Sequence, residues 1–169
     1  MKNLGKDKLN FIKKLIGLCS AVLCFLMFLF NFIDYTSTTT LSSGGNITGS
    51  GGVSMFSFLF NENKDVFDGT VGILRDVFTY SYVIMWISFI LVAASIIVLG
   101  IGFIYKKTLI SKIGSGVLAG GVVLLITMIF DTYKIGNTVR YLNVFTWIYV
   151  LMLFICVMGL LSIFTIDDK

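Results

Sequence analysis

Residues 82–104 read YVIMWISFILVAASIIVLGIGFI, and this stretch decides the class of the protein. It contains no Asp, Glu, Lys or Arg. The hydrocarbon core of a bilayer is about 30 Å thick, and an α-helix needs roughly 20 apolar residues to cross it. The stretch therefore predicts a transmembrane helix.

Three further stretches have the same character. The four predicted spans are residues 15–33, 82–104, 109–130 and 144–166. Lys112, one turn inside the third span, is the only charged residue in them, and its long stem can reach the headgroups. The whole chain is 57% apolar and 13% charged, against about 45–50% and 25% in soluble domains. We predict an all-α membrane protein, a single domain built as an antiparallel four-helix transmembrane bundle.

The basic residues are divided unequally between the two ends of the predicted spans. Nine lie at one end (Lys2, Lys6, Lys8, Lys13, Lys14, Lys106, Lys107, Lys112 and Lys169) and four at the other (Lys64, Arg75, Lys134 and Arg140). Positive residues favour the cytoplasmic side, so both termini are predicted to be cytoplasmic in a multi-pass plasma-membrane protein. The excess of Lys over Arg is typical of an A+T-rich bacterial genome.

A long first outer loop, residues 34–80, contrasts with short turns elsewhere. Residues 36–52 are mostly Ser, Thr and Gly, which predicts a flexible linker or a mobile hairpin tip. The following MFSFLF, residues 55–60, alternates so that Phe56, Phe58 and Phe60 would share one side of a strand. Packing of this strand on its own bundle is favoured, while insertion into the outer leaflet and pairing with a partner stay open.

Residues 65–79 have the pattern of an amphipathic helix leading into the second span. A helical wheel places Phe67, Leu74 and Phe78 in the apolar sector, opposite Asp68 and Arg75. Such a helix would lie at the outer interface or cover the bundle. Together with Phe56, Phe58 and Phe60, these three apolar residues are the predicted interaction residues of the outer loop.

The third span contains two small-x-x-x-small pairs, Ser115 with Ala119 and Gly116 with Gly120. Small residues at this spacing let helix backbones approach closely. Packing within the chain is the favoured interpretation of this helix-packing face. A helix of another subunit and a pore lining are the alternatives.

Several chemistries are disfavoured by the composition. The chain has no His, which removes the commonest general base and most zinc sites. Cys19, Cys24 and Cys156 lie in spans without a C-x-x-C pair, and the oxygen-rich stretch at residues 61–72 lacks the Gly and Glu of a calcium loop. We therefore predict no catalytic residue, no cofactor and no metal. Since the positive charge clusters beside spans, no nucleic-acid partner is predicted either.

The layout of a short inner N-terminus, four spans and a long first outer loop resembles the tetraspan topology of claudin and peripheral-myelin-type proteins. It is also similar to that of small uncharacterised bacterial four-span proteins. The resemblance covers the whole chain as topology. Residues 34–80 contain no Trp and no Cys, so the claudin loop signature is absent. The disulfide-braced outer sheet and the barrier function of claudins are therefore not implied.

Taken together, these features predict a non-enzymatic membrane interaction protein, an accessory or scaffold subunit acting through lateral helix packing and its outer loop. Its partners would be the lipid bilayer and another membrane protein or a second copy. One alternative is a transporter or channel component for an uncharged or lipid-like substrate, with a cavity lined by Ser88, Ser95, Thr127 and Thr146. A further alternative is an immunity-type protein against a membrane-active toxin. The missing charges at the bilayer centre disfavour ion-coupled transport.

Overall fold

The computed structural model describes residues 2–60, 79–128, 131–135, 138–143 and 147–166. This part of the chain is mostly helical and carries one small antiparallel sheet. The chain divides into two compact units. The helical unit comprises Met1–Met27, Ser88–Val123 and Leu151–Lys169, and the sheet unit comprises Phe28–Ile87 and Leu124–Val150.

Five α-helices are present in the described residues. They are α1 (Lys2–Met27), α2 (Met55–Phe60), α3 (Thr79–Ile104), α4 (Thr108–Leu124) and α5 (Trp147–Phe164), and a 3-10 turn, Leu125–Met128, extends α4. Four segments are long and apolar enough to cross a membrane: Gly5–Met27, Tyr80–Ile104, Thr108–Thr127 and Trp147–Phe164. Large apolar side chains such as Ile97, Phe154 and Leu161 are exposed on these helices. An apolar exterior of this kind suits lipid, which supports a multi-pass membrane protein.

The first helix has different bounds from the predicted span 15–33. It begins at Lys2 and ends at Met27, so that residues 28–33 belong to the sheet unit. The amide of Phe56 donates to the carbonyl of Phe28 at 2.9 Å, and Ile33 pairs with Val53 across a strand ladder. Backbone pairing with a segment more than twenty residues away therefore ends the helix before the apolar run ends.

Helices α3 and α4 approach closely through glycine. A Cβ added at Gly114 would lie 2.8 Å from the Leu99 Cγ and 3.0 Å from its backbone nitrogen, and one at Gly121 would lie 3.0 Å from the Val92 Cγ2. The Ser88 hydroxyl donates to the Gly121 carbonyl at 2.6 Å, which is a direct hydrogen bond between the helices. Missing side chains on α4 thus set the distance between the two backbones.

Helices α1 and α5 pack in the same way in the helical unit. A Cβ at Gly17 would meet the Ile163 Cγ1 at 2.6 Å, and one at Gly159 would meet the Ser20 Cβ at 2.7 Å. Near the end of α5, the Lys13 ammonium donates to the Thr165 carbonyl. A lysine at a helix C-terminus satisfies a free carbonyl and complements the helix dipole.

The sheet contains four antiparallel strands in the order β2-β1-β4-β3. Their bounds are β1 (Asn31–Thr40), β2 (Asn46–Ser54), β3 (Asp131–Ile135) and β4 (Thr138–Asn143). A tight turn joins β1 to β2, where Gly44 has φ +82° and its amide donates to the Leu41 carbonyl at 3.0 Å. Of the two predictions for residues 36–52, the hairpin is therefore present and the flexible linker is wrong, because most of these residues pair in β1 and β2. Gly44 in its turn takes a conformation that favours glycine.

A second hairpin, β3 with β4, joins the first along β1. Thr38 pairs with Thr48 on one side and with Val139 on the other. The expected short turn between the third and fourth spans is therefore wrong, since residues 131–143 contain two strands. The sequence does contain a signal for this hairpin. Gly136-Asn137 lies between residues that alternate between apolar and polar, and this pattern indicates a hairpin with a two-residue loop. No Cys lies in either hairpin, so the sheet is held by backbone ladders without a disulfide.

The strand predicted for residues 55–60 is wrong, because they form the short helix α2. The Ser54 hydroxyl accepts a hydrogen bond from the Ser57 amide at 3.0 Å, which caps the helix start. Phe56 and Phe60, four residues apart, come together on one face with ring centroids 4.6 Å apart. The amphipathic helix predicted for residues 65–79 lies outside the described residues except for Thr79, which begins α3.

Candidate functional site

The two small-residue pairs of α4 have different surroundings. Ser115 is buried and its hydroxyl donates to the Lys112 carbonyl at 2.9 Å, while Ala119 is half-buried. Gly116 and Gly120 are exposed, and no other described residue lies within 4 Å of a Cβ built on either. Packing among the described residues uses Gly114 and Gly121, and no described residue covers Gly116 or Gly120, so packing of these two glycines within the chain stays a prediction.

Gly116 and Gly120 lie in a continuous exposed stripe of α4. The α4 stripe consists of Leu109, Ile113, Gly116, Gly120 and Val123, whose spacing of three and four residues keeps them on one helix face. Its three large members are exposed and apolar. The two glycines form a shallow groove between them, which is the shape that accepts another helix.

Gly100 on α3 provides a natural comparison. A Cβ at this position also meets nothing in the described part of the chain. Its neighbours one turn away, Ile97 and Ile104, are large and exposed, so no second small residue extends a groove there. Gly100 is therefore an isolated open glycine, whereas Gly116 and Gly120 are two open glycines one turn apart.

The predicted aromatic residues of the first loop separate into two groups. Phe58 is fully buried, with its ring edge-on to Tyr82 at 5.9 Å. Phe56 and Phe60 are exposed, and the Phe60 ring also meets Trp86 at 4.9 Å. Phe58 thus stabilises the sheet unit, while the exposed pair is accessible to lipid or protein. The remaining predicted residues, Phe67, Leu74 and Phe78, lie outside the described residues.

Strand β2 forms an unprotected edge of the sheet. Its residues from Asn46 to Ser50 are exposed, and no described strand pairs with its outward side. Sheet edges are usually protected by charged residues, Pro or bulges, because free N–H and C=O groups pair readily with other strands. β2 has neither a charge nor a Pro, whereas the opposite edge, β3, carries Asp131 and Lys134.

Three of the four hydroxyl groups expected to line a transport cavity donate hydrogen bonds to backbone carbonyls, and of these three only the Ser88 hydroxyl bonds to another helix. Ser88 and Ser95 are fully buried, and each donates to a backbone carbonyl, of Gly121 and of Val92 respectively. Thr127 bonds to the Leu124 carbonyl at 2.7 Å, and Thr146 lies outside the described residues. A hydroxyl that donates its one proton to a backbone carbonyl cannot donate it to a solute at the same time. These residues therefore give no support to a transport path.

The cysteines show no sign of joint chemistry. Cys19 is exposed, whereas Cys24 and Cys156 are buried, and the Cys24 thiol lies 3.6 Å from the Met152 carbonyl. Among the described residues, no three of the Cys, Asp and Glu side chains come together as metal ligands. Each cysteine packs as a small apolar residue of its helix.

The burial of Lys14 and the backbone conformation of Lys106 could not be predicted from the distribution of charges along the sequence. Lys14 lies within the candidate span Gly5–Met27 and is only 7% exposed. Lys106, between α3 and α4, has φ +55°. This backbone conformation costs a non-glycine residue about 1–2 kcal/mol, so glycine or asparagine normally occupies it. The available sequence signal was the pair Lys13-Lys14, which borders the apolar run with no intervening polar residue.

Comparison with known proteins finds no family model that matches this chain and no curated protein with significant similarity. What the chain does must therefore be inferred from its own residues and their arrangement.

Proposed function

We propose that this chain is a non-enzymatic membrane interaction protein, an accessory or scaffold subunit that binds a transmembrane helix of another protein or of a second copy. In this proposal its four spans form an antiparallel bundle in the plasma membrane. Both termini and the Lys106-Lys107 turn are cytoplasmic, as the lysine distribution favours. The sheet then lies on the outer side.

The α4 stripe is the observation that carries the proposal. Association between helices in lipid depends on close van der Waals packing rather than on the hydrophobic effect, because lipid tails are as apolar as the side chains. A groove at Gly116 and Gly120 brings a second backbone near enough for many such contacts, each worth about 0.1–0.2 kcal/mol. The stripe has no charged member, so a partner helix need not supply a counter-charge.

The edge of the sheet offers a separate surface for a partner protein. No described strand pairs with the outward side of β2, and the strand carries no blocking charge. An added strand would pair with this side by the usual antiparallel or parallel ladder. The exposed Phe56 and Phe60 belong to the helix that directly follows β2 and would add apolar contact area.

Filling the groove between Gly116 and Gly120 is expected to weaken the complex. In the double variant Gly116→Leu, Gly120→Leu, the partner helix is displaced. Overpacking costs about 1–3 kcal/mol, so we expect recovery of the partner to fall about tenfold. The measurement is native electrophoresis and quantitative mass spectrometry of the chain extracted from its own membranes in mild detergent.

Gly100→Leu is the matched control, since it adds the same side chain at an open position that lacks a groove. It should leave the complex unchanged. A wild-type chain that runs as a partner-free monomer, together with altered solute uptake when the chain is deleted, would contradict the proposal and favour the transport alternative.

The orientation gives a separate expected result. In a background of Cys19→Ser, Cys24→Ala and Cys156→Ala, Thr40→Cys should react with a membrane-impermeant maleimide on intact cells. Lys107→Cys should react only after the membrane is permeabilised, because it lies on the lysine-rich side. Labelling of Lys107→Cys but not Thr40→Cys on intact cells would show the opposite orientation.

A further inference from the structure

A groove in the helical unit combines a basic side with an apolar wall. Its volume is about 840 Å³, and it lies between the first turns of α1 and the end of α3. Phe11, Phe103 and Ile104 supply apolar wall, and the rings of Phe11 and Phe103 meet with centroids 5.0 Å apart. Ile104 is exposed, so part of this wall has no cover within the described residues.

The basic side of the groove is formed by three lysines, Lys8, Lys14 and Lys106. Lys8 and Lys106 are exposed, while Lys14 is buried one and a half turns further along α1. One carboxylate, Asp7, also lines the groove, so the positive charges exceed the negative by two. A positive excess directly beside an apolar wall matches a ligand that is itself half anionic and half apolar.

The backbone at Lys106 gives an independent reason to assign a role to its side chain. With φ +55°, this residue occupies the left-handed conformation in which a helix usually ends at glycine. A lysine here is unfavourable for the backbone, and Lys106 is one of the residues that line the groove. The next residue, Lys107, is equally exposed but does not line the groove.

We propose that this groove binds one anionic phospholipid. The exposed Lys8 and Lys106 would hold the phosphate through charge-assisted hydrogen bonds, and an acyl chain would lie along Phe11, Phe103 and Ile104. The apolar wall distinguishes a lipid from free phosphate, because inorganic phosphate would leave these side chains without a contact. This inference goes beyond the proposed interaction function and does not depend on it.

Native mass spectrometry of the full-length chain in detergent tests the proposal, with dioleoyl phosphatidylglycerol, dioleoyl phosphatidylcholine or inorganic phosphate added at equal concentration. We expect one phosphatidylglycerol to be retained in preference to phosphatidylcholine. Each lysine near an anionic lipid contributes roughly a fivefold gain in affinity. Lys8→Gln and Lys106→Gly should each weaken retention about fivefold.

Two features keep the result interpretable. Glycine suits the backbone conformation of residue 106, so a loss of lipid in Lys106→Gly cannot be assigned to misfolding. Lys107→Gln is the matched control, because it removes a neighbouring positive charge that does not line the groove. Equal retention of the two lipids, or full displacement of phosphatidylglycerol by inorganic phosphate, would overturn the proposal. An equal effect of Lys107→Gln, or no effect of Lys8→Gln and Lys106→Gly, would overturn it as well.

Discussion

Replacing Gly114 by Leu is expected to cause a large loss of stability, because this glycine sets the distance between α3 and α4. A Cβ alone at this position would lie 3.0 Å from the backbone nitrogen of Leu99, and backbone cannot move aside as a side-chain end can. Overpacking of this kind costs about 1–3 kcal/mol and more where backbone must shift. The measurement is the midpoint of unfolding when sodium dodecyl sulfate is titrated into the detergent-solubilised chain.

Gly116→Leu is the control for this prediction. It places the same side chain two residues away on the same helix, where a Cβ meets no other described residue within 4 Å. In the partner-free chain its stability should stay within about 0.5 kcal/mol of the wild type, because no described residue of the chain packs at this position. Equal destabilisation by the two variants would show that α4 packs on α3 through a different face.

The second large effect is expected in the sheet. Strand β1 is central and pairs with both β2 and β4. Thr38→Pro removes the amide of a residue opposite Thr48 and Val139 and introduces a ring that a central strand does not accommodate. A cost on the order of 3 kcal/mol corresponds to about a 100-fold loss of protection. Hydrogen exchange of the chain in lipid nanodiscs should show this loss in β2 and in β4 together.

Ser42→Pro tests whether the effect comes from the strand rather than from proline itself. Ser42 is the second residue of the turn closed by the Gly44 amide and the Leu41 carbonyl, a position where proline is common. Protection in this variant should equal that of the wild type. If Thr38→Pro exposed β2 and left β4 protected, the two hairpins would not share β1.

The four helices that are long and apolar enough to cross a membrane were predictable because the signal is local. A span needs only about 20 apolar residues in a row, so residues 82–104 predict α3 without any knowledge of their neighbours. The end of α1 was less predictable. Residues 28–33 are apolar enough to continue the helix, and their pairing with residues 53 and 54 is not encoded in any single stretch.

The sheet was harder still, because its central ladder joins residues about 100 positions apart. Thr38 and Val139 pair in the structure, and neither stretch identifies the other. The alternation of residues 55–60 favoured a strand. These residues instead form a six-residue helix whose start is capped by the Ser54 hydroxyl. Six apolar and small residues are too few for periodicity to distinguish helix from strand.

Within α4, too, the sequence alone does not show which small residues contact another helix. The sequence placed small residues correctly on α4, but Gly114, Gly116, Gly120 and Gly121 together cover more than one face. Only the position of α3 shows that Gly114 and Gly121 are occupied and that Gly116 and Gly120 are open. The buried position of Lys14 likewise depends on neighbouring helices that the sequence does not locate.

Site-directed photocrosslinking in native membranes tests the interaction proposal most directly. A photoreactive amino acid is placed at residue 116, in the α4 stripe, and at residue 100 as the control. We predict a discrete protein adduct from residue 116, either a second copy or another membrane protein in fixed proportion, which Gly120→Leu removes. Only lipid adducts at both positions would contradict the proposal that α4 binds another helix.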